Sequence, residues 1–175
     1  MQSYETRFRE LIERCTPLLL DLPNDTTATR PAPDKWSRQE ILGHLIDSAS
    51  NNHRRFVEGQ FGEDLVFVGY DQEAWVRAQP YQTSSWAELV GLWRSFNLHL
   101  LRIVESVPES TRLRPRTRHN LAEIGWKVSP DESTTLDYIM SDYVSHLEHH
   151  LRQILGSAVD SVLADPTRTH TRGAV

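Results

Sequence analysis

Cysteine is almost missing from this sequence: Cys15 is the only one. No intrachain disulfide can form, which fits a reducing compartment. Cys15 itself reads as a small buried apolar residue of the first helix. Long apolar runs are also missing. No stretch approaches the ~18 residues of a membrane span, and acidic residues occupy the N-terminal segment where a signal peptide needs an apolar core. The chain is therefore expected in the cytoplasm, with no membrane partner. Clustered positive charge is scarce as well. The formal charge is -5, and only the segment 112–118 gathers arginines, reading as a solvated loop. A phosphate backbone demands more basic surface than that, which excludes nucleic acid and leaves a small molecule as the expected partner. No sustained apolar/polar alternation, internal repeat or low-complexity stretch is visible.

What the sequence does hold is helical periodicity. With 175 residues, 38% apolar and 25% charged, the chain is expected to form one folded domain over residues 1–160, with a flexible tail over 161–175. Tyr4, Phe8, Leu11, Ile12, Cys15, Leu18 and Leu19 recur at spacings of three and four, predicting a helix over about 3–21. Ser37-Arg38-Gln39-Glu40 is a capping box opening a second helix to about Gln60. Ser85-Trp86-Ala87-Glu88 repeats that signal before a third, which ends at Pro108. A fourth begins near Thr134 and stops at Gly156. The fold class is all-α, a four-helix bundle. Its connections at 61–83 and 108–133 are long enough to run the length of a helix, so parallel neighbours are allowed. Leu65-Val66-Phe67-Val68 reads as a small strand-like piece.

The chemistry lies in histidine. His146-Leu147-Glu148-His149-His150 carries two imidazoles four residues apart, an arrangement that eight histidines in 175 residues produce by chance about a third of the time. Helical phase sharpens it. Leu136, Met140, Tyr143, Leu147, His150 and Ile154 trace one packed seam, His146 sits one turn before His150, and His149 falls on a polar seam with Asp142, Ser145 and Arg152. His146 and His150 are the pair that can converge on one ion, with His149 facing solvent or standing behind the ligands. On the second helix His44, Ser48, Asn51 and Arg55 form a polar stripe beside Ile41, Leu45 and Phe56, either lining a pocket or bordering solvent. His53, His99, His119 and His170 are expected at the surface.

The segment 36–48 (Trp-Ser-Arg-Gln-Glu-Ile-Leu-Gly-His-Leu-Ile-Asp-Ser), followed by Asn51 and Arg55-Phe56, resembles the first metal-binding helix of the DinB-like, or YfiT-like, superfamily. Segment 143–154 resembles its last, and Tyr70-Asp71-Gln72-Glu73-Ala74-Trp75 a block between them. The resemblance implies up-down-down-up topology, with a long crossover between helices 2 and 3. It also implies a divalent metal ion, zinc or nickel, on His44, His146 and His150, and often a homodimer. Asp47, three residues after the first ligand, would be a carboxylate beside the site. Arg55 is a candidate for an anionic substrate group, with a surface salt bridge as the alternative.

Three neutral imidazoles leave a position open, as catalytic sites do. The ion could activate water for hydrolysis or a thiol for transfer; characterised members of the superfamily include transferases that use low-molecular-weight thiols such as mycothiol and bacillithiol. The expectation is a metal-dependent hydrolase or S-transferase, with a low-molecular-weight thiol as cosubstrate in the second case. The alternative is a non-catalytic, metal-stabilised bundle acting through dimerisation or partner binding, with its five tryptophans in the core or at an interface.

Overall fold

The structure is a computed structural model and describes residues 3–164. Four long helices dominate it: α1 (Tyr4–Leu20), α3 (Arg38–Phe61), α5 (Trp86–Ser106) and α7 (Leu136–Leu155). Short helices α2 (Asn24–Thr27), α4 (Gln72–Ala78), α6 (Glu109–Arg112) and α8 (Ala158–Leu163) punctuate the connections, with single 3-10 turns at Tyr81–Thr83 and Leu121–Ile124.

The starts are set by side-chain caps. Ser3, Ser37, Ser85 and Thr135 each accept a backbone N–H from the first turn of their helices. Only at Ser37 is the box closed, because Glu40 returns a bond to the Ser37 backbone N–H at 2.8 Å. Gly156, at φ 63°, ends α7 in a conformation that glycine adopts without strain.

Cross-helix contacts fix the directions. Tyr4 bonds to Asp137, and Arg7 pairs with Glu148, so α1 and α7 run parallel. Trp86 donates to the Leu19 carbonyl while Arg9 pairs with Glu105, so α5 is antiparallel to α1. Gln39 bonds to Ser84, and His53 stacks on His99, so α3 and α5 run parallel. The topology is up-down-down-up, and the chain must return along the bundle between α3 and α5, which explains the long crossover. The core is continuous across all four helices, from Phe8 and Leu11 through Phe56 and Trp93 to Tyr143 and Leu147.

Two sequence expectations change. Residues 65–68 form no strand; Leu65 makes one isolated parallel bridge to His119, because Asn120 takes over the pairing by bonding both the N–H and the C=O of Phe67 at 2.9 and 2.8 Å. Residues 161–163 complete α8, with Val162 buried and Arg14 donating to the carbonyls of Ser161 and Val162. Residues 165–175 of the expected tail lie outside the described residues.

Candidate metal centre

His44 lies in the second turn of α3 and His146 and His150 in the second half of α7, where these antiparallel helices face each other. The residue before His44 sets the fit of the crossover. A Cβ on Gly43 would stand 2.2 Å from the Tyr81 ring, so only glycine lets that ring lie against the helix backbone. Tyr81 then donates from its hydroxyl to Asp47 at 2.8 Å, one turn on.

The three imidazoles converge. Their ring centroids are 4.5–5.2 Å apart, and one nitrogen from each lies within 4.8 Å of the others. His44 Nε2 and His146 Nε2 are 3.2 Å apart. Two nitrogens on one tetrahedral ion at ~2.0–2.1 Å would be separated by roughly 3.3 Å, so the donor set fits a divalent metal. His150 Nδ1 is 2.8 Å from Gln153 Oε1. That carbonyl oxygen can only accept, so Nδ1 carries the proton and Nε2 presents its lone pair.

Electrostatics point the same way. Burial, reinforced by the neighbouring rings, lowers the pKa of His44 to about 4 and of His146 to about 3, and burial lowers that of His150. Neutral imidazoles at pH 7 are the form that donates to a metal. Trp36 covers His44 at 5.2 Å between ring centroids. His149 is exposed and bonds to Gln153 at 3.1 Å, as its seam predicted.

Asp47 is buried, but its Oδ1 accepts from Gln79 and Tyr81, whereas Nδ1 of both His44 and His146 lacks a partner. It braces the crossover and orients no ligand imidazole. Arg55 is not at the surface. It is 5% exposed, forms no ion pair among the described residues, and stacks its guanidinium 4.8 Å above the Trp126 ring.

Beside the histidines opens a cavity of about 510 Å³ whose lining includes His44, His146, Ser48, Arg55, Tyr70 and Trp126. The polar stripe of α3 thus lines a pocket, with one correction: Asn52, not Asn51, faces it. Periodicity allowed either residue, and the position of the loops decides. Tyr70 and Trp126 come from the two long connections, where no helical phase exists to place them. Glu148, between the two histidines in sequence, points away from the cavity; it is buried and pairs with Arg7 at 2.8 Å and with Arg152. No helix among the described residues is long and apolar enough to cross a membrane.

No curated protein matches the chain. Among solved structures, YfiT from Bacillus subtilis, described as a probable metal-dependent hydrolase with an unusual four-helix bundle topology, superposes with a TM-score of 0.71 at 18% identity, covering 91% of this chain and 85% of that one. The likeness shows a shared fold. The family model of the DinB superfamily matches residues 7–154, from the first helix to the end of the histidine cluster, and the chain belongs to that superfamily.

Proposed function

We propose that this protein is a metal-dependent enzyme that activates water or a low-molecular-weight thiol on a divalent ion, zinc or nickel, held by His44, His146 and His150. The observation that carries this reading is the convergence of three neutral imidazoles, two of which, His44 and His146, line an open cavity. A purely structural metal has its coordination closed by protein, usually by four ligands. Three nitrogens with room alongside leave a position for a small molecule. The description of YfiT as a metal-dependent hydrolase supports the hydrolytic branch.

Held by His44, His146 and His150, such an ion would lower the pKa of a bound water to about 7 or favour the thiolate of a bound thiol. The chain's own residues supply the surroundings. Gln153 holds the His150 tautomer. Burial raises the Tyr70 pKa to about 12, which keeps its hydroxyl a hydrogen-bond donor at neutral pH. Ser48 and Asn52 add polar groups along the cavity wall.

Metal analysis of the purified protein tests the ligand set. One equivalent of divalent metal is expected in the wild type, with a drop of at least tenfold in affinity for His146→Ala. Undiminished stoichiometric metal in that variant would refute the assignment. Turnover is tested by presenting the zinc- and nickel-loaded protein with amide substrates and with thiol acceptors.

A further inference from the structure

Arg55 is a buried cation without a counter-ion. A guanidinium cannot shed its proton at physiological pH, so burial without a partner is costly. Its best contacts are long: Asn52 Oδ1 at 3.4 Å and the Val68 carbonyl at 3.5 Å, beyond the usual ~2.7–3.2 Å. The other buried arginines or arginine networks differ. Arg116 donates to the carbonyls of Arg114 and Gly59, and Arg112 pairs with Glu5 and Asp137.

The direction of Arg55 is fixed by Trp126, which lines the same cavity as His44 and His146. Arg55 stands eleven residues after His44 on α3, about 16 Å of axial rise. Helical side chains lean towards the N-terminus at both positions, the longer arginine further than the histidine, so the guanidinium stands between two and three turns from the His44 ring, roughly 14 Å. The cavity therefore has a metal-directed end and a cationic end.

We infer that Arg55 is a specificity-determining residue that receives a carboxylate on the substrate, some two to three helical turns from the atom that reacts at the histidines. A carboxylate is the anion that fits. One guanidinium neutralises a single negative charge, while Asp71, Glu73 and Asp142 also line the cavity and disfavour a doubly charged phosphate. The flat face of the guanidinium is already engaged by Trp126, leaving its N–H edges for a planar acceptor. This inference rests on the proposed metal centre for the identity of the other end.

Two thiols of equal length separate the ends: 8-mercaptooctanoate and 8-mercaptooctanol, titrated calorimetrically into zinc-loaded and metal-free protein. The acid is expected to bind at least tenfold more tightly than the alcohol in the wild type. That preference should fall to twofold or less in Arg55→Gln, with affinity for the alcohol unchanged. Arg55→Lys, which keeps the charge but loses the planar fork, should retain part of it. Equal affinity for the two thiols in the wild type, or an acid preference that survives Arg55→Gln, would overturn the role of Arg55. Failure of the metal reading looks different: zinc would strengthen neither thiol, while the acid preference would persist without metal. Binding of neither thiol in any form would overturn both.

Discussion

Glycine in the middle of a helix is ordinarily a weakness, and Gly→Ala at such a position gains about 1 kcal/mol. At Gly43 the structure reverses the sign. The added Cβ would lie 2.2, 2.4 and 2.6 Å from three atoms of the Tyr81 ring. Ordinary carbon contacts need ~3.5–4.0 Å, so the ring must retreat by roughly 1.5 Å. Tyr81 is 5% exposed and held by Asp47 and Gln79, so the move is not free. Overpacking costs about 1–3 kcal/mol, and leaving buried Asp47 short of a donor a further ~1–3 kcal/mol. Less the propensity gain, these terms span about 1–5 kcal/mol, so Gly43→Ala should destabilise the protein by about 3 kcal/mol, or roughly 6–12 °C in Tm for a chain of this size. Calorimetry and urea unfolding measure it. In a Tyr81→Ala background, which removes the ring, the same substitution should cost nothing or stabilise. A Gly43→Ala protein as stable as wild type would refute the reasoning, as would a penalty that persists after the ring is gone.

Acid should weaken the metal-free protein. His44 and His146 titrate at about 4 and about 3 when folded but near 6.5 when unfolded. The unfolded chain therefore binds more protons below pH 6.5: the stability is intact above that value and is lost as pH falls towards 4. Unfolding free energies from urea titrations at pH 7 and pH 5 should differ by about 4 kcal/mol, a pH-independent stability being the contrary result. Asn120→Ala removes both side-chain bonds to the Phe67 backbone, at a cost of about 1–3 kcal/mol. Hydrogen exchange over 65–71 should speed up in that variant, and unchanged protection there would show that Asn120 does not hold the connection.

The long helices were legible because each face is written at a fixed interval. Periodicity separated His146 and His150 from His149 without any structural information, and the capping box at Ser37 marked the start of α3. The third proposed ligand came through the resemblance of the His44 block, since phase alone left its stripe facing either pocket or solvent. Everything depending on the connections was illegible. Asp47 was expected beside a ligand, but Gln79 and Tyr81 draw its carboxylate to the crossover. Arg55 looked like a surface residue until the loops bearing Tyr70 and Trp126 closed over it. A coil has no repeat from which to read where its side chains go, and the pocket is built by coils on a helical frame.

His44 and His146 are 102 residues apart in the chain. They meet only once α7, the last long helix, has docked against α3. Contacts of such long sequence separation form late and slow the search for the native state. Before that docking the chain holds only the local pair His146 and His150. On the proposed ligand set, full-affinity metal capture would be a readout of completed folding, and a nascent or truncated chain would compete poorly for the ion.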